Sequence, residues 1–133
     1  LLTYMLQGAV QEPGGTAEGL KRTSLVAGNE IGAKTGTTSN YSDGWFMGVT
    51  QKLVAGVWVG GDDRSIHFRS LALGQGAKMA MPAFAKFMEK VYADQSLAIE
   101  GYRKMPFIKP ENFAFDFSCN GKVAVDSTAI IAP

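Results

Sequence analysis

Hydrophobic positions change period twice along the chain. From Leu1 to Gln11 they recur at helical spacing: Leu2, Leu6, Ala9 and Val10 fall at i, i+4, i+7 and i+8 and make one apolar stripe. Pro13 and the Gly14-Gly15 pair stop that helix, and Thr16-Ala17-Glu18 is placed to cap a short helical turn running through Leu20. Gly28-Asn29 reads as a turn. Alternation then takes over, predicting strands at Ile31–Thr37, Trp45–Thr50 and Leu53–Gly60, the last two joined by the two-residue link Gln51-Lys52, which has hairpin length. On the third strand Leu53, Ala55, Val57 and Val59 share one face and Val54, Gly56, Trp58 and Gly60 the other. Both faces of the last two strands are apolar, so cover is expected on each.

Helical spacing returns at Gly76–Ala93, where Phe84, Met88, Val91 and Tyr92 form a stripe and Pro82 either starts or kinks the helix. From Gly101 on the pattern is weak, with one short strand pair predicted around Asn120-Gly121. The order helix, strand, strand, strand, helix, tail predicts an α+β layer: one antiparallel sheet with both long helices packed on the same face.

Composition narrows the function classes. Hydrophobic residues make up 46% of the 133 positions and charged residues 19%, enough for a packed core. The net charge of +1 gives no electrostatic reason to expect nucleic acid or an anionic membrane as partner. With one histidine, His67, and one cysteine, Cys119, no zinc-type cluster can be built, and neither a metal nor a cofactor is expected. No apolar run reaches bilayer-spanning length, and the chain opens on Leu rather than Met, so a piece of something longer is expected.

The residues with chemistry to offer are Lys34-Thr35-Gly36-Thr37-Thr38, on the first predicted strand. Lysine supplies a positive charge and three donors. Thr35 and Thr37 put two hydroxyls on one side of a strand, with Gly36 between them on the other, where a ligand can approach the backbone. An edge strand also offers free N–H and C=O groups to an extended peptide. The run therefore suits an anionic, peptide-like ligand, and a backbone N–H here could serve an oxyanion hole. A solvated turn is the plain alternative. Another is a phosphate-binding loop, since Gly28-Asn29-Glu30-Ile31-Gly32-Ala33-Lys34-Thr35 nearly spells Gly-x-x-x-x-Gly-Lys-Thr. Ala33 stands where the second glycine belongs, and no helical stripe opens after Thr35, so the context of such a loop is missing.

Longer stretches go further. Ala33 through Gly48 resembles the third active-site motif of class A penicillin-binding proteins and the strand after it. Leu53–Gly60 with Asp62-Asp63 resembles the next strand and its exit, Gly76 through Met88 the helix closing the transpeptidase domain, and Leu2–Val10 the helix leading into the motif. The resemblance covers residues 1–95, and 96–133 form an irregular tail. It implies the C-terminal portion of a penicillin-binding, β-lactamase-like transpeptidase fold. It also implies a parent enzyme, a serine-type D-Ala-D-Ala transpeptidase that cross-links peptidoglycan and is acylated by β-lactams. That parent would carry an upstream glycosyltransferase and an N-terminal anchor, on the outer side of the bacterial inner membrane.

By the same resemblance Lys34 and Thr37 are catalytic. Lys34 assists the serine of a Ser-x-Asn motif and sets positive potential, and the Thr37 N–H completes the oxyanion hole. Thr35, Gly36, Thr37 and Thr38 bind substrate, the two alternate threonines holding its carboxylate. The family's Ser-x-x-Lys is absent: no serine here has lysine three residues on. Ser118-Cys119-Asn120 spells Ser-x-Asn but follows the Lys-Thr-Gly run instead of preceding it. The fragment by itself is thus expected to be inactive, with peptidoglycan stem peptides, β-lactams and the missing N-terminal part of its own chain as partners, and to self-associate through the surface that part would cover. A stand-alone peptide- or cell-wall-binding module without chemistry is the competing reading. His67 is expected at the surface, Asp62-Asp63 in a turn, and Trp45 and Trp58 in the core.

Overall fold

A computed structural model describes residues 1–109. Helix α1 spans Leu2–Gln11 and stops at Glu12, whose backbone is extended, ahead of Pro13 and a Gly14 at φ 77°. Only part of its apolar stripe is used: Val10 is buried, whereas Leu2 is 69% exposed. Two 3₁₀ turns, Glu18–Arg22 and Ser24–Val26, follow. The first begins without a side-chain cap, and Glu18 reaches back to accept from the Gly14 N–H. Each turn contributes one fully buried leucine, Leu20 or Leu25.

Strands β1 (Gly32–Thr37), β2 (Asp43–Val49) and β3 (Val54–Gly60) form one antiparallel sheet in the order β1-β2-β3. The predicted hairpin is present: Thr50 N–H donates to the Leu53 carbonyl at 2.8 Å across Gln51-Lys52, and Thr50 Oγ1 accepts the return bond from the Leu53 N–H. Register pairs Ala33 with Gly48, Thr35 with Phe46 and Thr37 with Gly44 on one face. Lys34 with Met47 and Gly36 with Trp45 lie on the other.

The predicted 76–93 helix is in two pieces, α3 (Gly76–Met79) and α4 (Met81–Ala93), divided at Ala80, with Pro82 in the first turn of α4. There its missing N–H removes no helical bond. A one-turn helix α2 (Leu71–Gly74) precedes them and α5 (Gln95–Ile99) follows, capped by Asp94 accepting from the Ser96 N–H. The stripe on α4 faces the sheet as its spacing predicts: Phe84 and Met88 are fully buried and Val91 nearly so. Phe84 lies over Gly48, where a Cβ would come within 2.1 Å of its ring, and packs against Phe46 with ring centroids 4.9 Å apart. Complete burial of each ring contributes about 1.5–3 kcal/mol. Val10, Leu20, Leu25, Ile31 and Ala33 complete the same core.

Two expectations need correction. α1 does not lie squarely beside α4 on one face. It packs against β1 with Leu6 over Gly32, whose Cβ direction is opposite to that of Ala33. Nor are both sheet faces covered by the described residues. The face opposite α4 is open, with Trp45 and Trp58 each 47% exposed, Met47 37% and Val54 60%. The two tryptophans are therefore not core residues here: α1 meets that face at Gly32, and among the described residues no element buries them.

The segment after α5 is irregular yet fastened. Asn29 Oδ1 accepts from Met105 N–H at 3.1 Å, Glu30 Oε2 from Phe107 N–H at 2.8 Å, and Gln51 Oε1 from Ile108 N–H at 3.1 Å. The predicted strand pair at Asn120-Gly121, along with Cys119, lies outside the described residues.

Candidate active-site wall on strand β1

Among the described residues β1 is an edge strand, as the peptide-binding reading requires. Alternation sends the side chains of the motif to both sides of it. Lys34 and Gly36 belong to the open face, beside Met47 and Trp45, while Thr35 and Thr37 belong to the face covered by α3 and α4. A ligand lying along the edge would therefore have an ammonium on one side and two hydroxyls on the other. Lys34 is exposed, and its Nζ donates to the Thr35 carbonyl at 2.6 Å. The salt bridge found among the described residues, Lys21–Glu18, is elsewhere, so no carboxylate there neutralises Lys34.

The hydroxyls differ in their engagement. Thr37 ends β1, is exposed, and accepts at Oγ1 from the Gly76 N–H at 3.0 Å. Thr38 is turned into the β1–β2 connection: its Oγ1 accepts from the Asp43 N–H at 3.2 Å and lies 3.1 Å from Ser42 Oγ, and its carbonyl accepts from the Tyr41 N–H. Ser42 is buried and Thr38 half-buried. The connection is tight enough to hold Tyr41 at φ 54°, a region non-glycine residues seldom adopt. Of the four substrate-binding candidates, then, Thr35, Gly36 and Thr37 lie along the edge, and the Thr38 hydroxyl closes the turn.

Neighbouring loops are pinned to the same end of β1. Phe68 N–H donates to the Tyr41 carbonyl, and Asn40 Nδ2 to the Arg64 carbonyl. Asp63 accepts from the Ser65 N–H at 2.8 Å and so forms a turn; that backbone bond, then the Ser65 hydroxyl, holds its carboxyl below the ordinary value of 3.8. His67 is exposed, with Nδ1 2.9 Å from the Phe68 carbonyl. A hollow of about 300 Å³ lined by Val10, Gln11, Lys21, Val26, Asn29 and Ile31 contains no motif residue. Lys34-Thr35 sits in mid-strand, with no helix opening at it, which removes the setting a phosphate loop needs. Sequence reasoning missed Gly76 as a partner of the motif. A glycine at a helix start was its only signal, and the contact spans 39 residues.

No protein-family model matches the chain. Among curated proteins it is 33% identical over 135 residues to penicillin-binding protein 1A of Rickettsia conorii, covering 98% of this chain and 15% of that protein. The chain belongs to the penicillin-binding protein 1A family. The same-named protein of Rickettsia bellii is 37% identical over 95 residues, 71% of this chain and 11% of the relative, and that of Escherichia coli 31% over 128 residues, 82% and 14%. The chain thus spans about a seventh of the length of the penicillin-binding proteins it matches, or less. No helix among its described residues is long and apolar enough to cross a membrane.

Proposed function

We propose that this chain is the substrate-side wall of a peptidoglycan D,D-transpeptidase, part of a longer cell-envelope enzyme whose nucleophilic serine lies outside the sequence given. The observation that carries the reading is the placement of Lys34-Thr35-Gly36-Thr37 on an exposed edge strand, in a chain whose relatives are penicillin-binding proteins. In the reaction, the serine oxygen attacks the carbonyl carbon between two D-alanines. The amide bond breaks, the serine proton goes to the departing amine, and an acyl ester remains. The amino group of a second stem peptide then attacks that ester, forming the cross-linking amide and returning a proton to the serine oxygen.

The residues present supply electrostatics and grip. The Lys34 ammonium stabilises negative charge as it develops, and an N–H at Thr37 donates to the oxyanion. Thr35 and Thr37 hydroxyls hold the terminal carboxylate, which a β-lactam mimics. A glycosyltransferase domain and a membrane anchor complete the proposed parent, on the outer side of the inner membrane.

Labelling with a fluorescent penicillin tests this. The full-length parent should carry a stoichiometric label that survives a denaturing gel, and this chain alone none. A parent that stays unlabelled rejects the transpeptidase reading in favour of a non-catalytic binding module. A stable label on the isolated chain means that its nucleophile is present here after all.

A further inference from the structure

We propose that Gly76 is a positioning residue that aims the Thr37 hydroxyl proton at the carboxylate of the ligand; this rests on the carboxylate-binding role proposed above. A hydroxyl has one proton to donate and two lone pairs. The Gly76 N–H, 3.0 Å from Thr37 Oγ1, occupies one lone pair, so the proton cannot point toward Gly76. Among the described residues no other bond to Thr37 Oγ1 is present, and Thr37 is exposed at the end of the edge strand. Its proton is thus directed outward, available to an anionic acceptor. The Thr38 hydroxyl, held by Asp43 and Ser42, is not.

The N–H that does this is free because of where it sits. Gly76 opens α3, and the first amides of a helix have no acceptor within it. It is held there by the core: α3 leads into α4, whose Phe84 and Met88 are fully buried. Glycine is required for the approach. A Cβ at 76 would stand 2.4 Å from the Trp45 carbonyl oxygen and 2.6 Å from that of Gly36, backbone atoms of β2 and β1 that cannot turn aside as a side chain can. Any larger residue must withdraw the amide from Thr37. Helix α4, Gly76 and Thr37 form one rigid path from the core to the ligand carboxylate.

The test compares acylation of the full-length parent by benzylpenicillin and by its methyl ester, which keeps the β-lactam but removes the anionic acceptor. In Gly76→Ala the acid-to-ester rate ratio should fall about tenfold, the scale of a hydrogen bond to a charged group. Thr37→Val should lower it equally, the double variant no further, and Thr37→Ser should recover most of it. Equal slowing of both ligands by Gly76→Ala, in a protein with native circular dichroism, overturns the proposal, as does a Thr37→Val ratio equal to wild type. Where Gly76→Ala does not fold, hydrogen exchange resolved at the Gly76 amide decides: Thr37→Val should speed it at least tenfold, and an unchanged rate overturns the proposal. Wild-type parent that no penicillin acylates fails the transpeptidase reading itself, a result separate from exchange at amide 76.

Discussion

Lys34 is exposed and bonded only to a neighbouring carbonyl among the described residues, so its loss should touch chemistry and spare the fold. Lys34→Ala in the full-length parent is expected to slow β-lactam acylation on the order of a hundredfold, the usual scale for one member of a proton-transfer and electrostatic set, with an unchanged melting temperature. A matching fall in stability would show that the side chain is structural. Phe84 is the opposite case. It is fully buried over Gly48 and against Phe46, and Phe84→Ala should cost about 3–5 kcal/mol in denaturant unfolding. Asn29 lies between these. Its amide donates to the Leu25 carbonyl and the Tyr92 hydroxyl and accepts from Met105 N–H, and Asn29→Ala should cost about 1–3 kcal/mol by leaving those groups unpaired. Faster hydrogen exchange in 103–108 would place the loss there; unchanged exchange would show that Asn29 does not hold this segment.

At the scale of elements, the long periodic segments were legible and the short ones were not. α1, the three strands and α4 each present a repeat that several residues share. α2 and α5, with four and five residues, are too short for an i, i+7 signal, whereas the division at Ala80 had a local signal in Pro82, which sits in the first turn of α4. The cap of α5 gives a pH prediction. The Ser96 hydroxyl, then the Ser96 and Leu97 N–H groups, hold the Asp94 carboxyl below its ordinary 3.8. A depressed folded pKa means that the cap contributes above the unfolded value and is lost as pH falls through the lower folded one. The Ser96 amide resonance should therefore be steady at neutral pH and shift below 3.8, and Asp94→Ala should abolish that shift. Retention of the shift in the variant would assign it to another group.

For the whole molecule, the open face of Trp45, Met47, Val54 and Trp58 dominates behaviour in isolation. Among the described residues β3 is the other edge of the sheet, and neither a charge nor a proline interrupts Val54–Gly60, so it lacks the usual protection against pairing with another strand. The isolated chain is expected to associate in a concentration-dependent way in sedimentation, and Val54→Lys with Trp58→Lys to shift it toward monomer. A compact monomer at every concentration would mean that this face is covered in solution by the chain itself.

Sequence alone determined the strand positions, the faces of β3, the stripe of α4 and the Lys-Thr-Gly-Thr run on β1, because each is a local repeat or a local string of residue types. It also found that both faces of the sheet are apolar. It could not tell which face would be covered, since that depends on elements packing from elsewhere, and so it placed Trp45 and Trp58 in a core they do not enter. Only the tertiary structure paired Gly76 with Thr37, across 39 residues, and turned Thr38 away from the ligand edge into the turn. Spacing along a strand fixes the side on which a hydroxyl emerges, and the direction of its proton is set by whichever distant backbone amide the folded core brings against it.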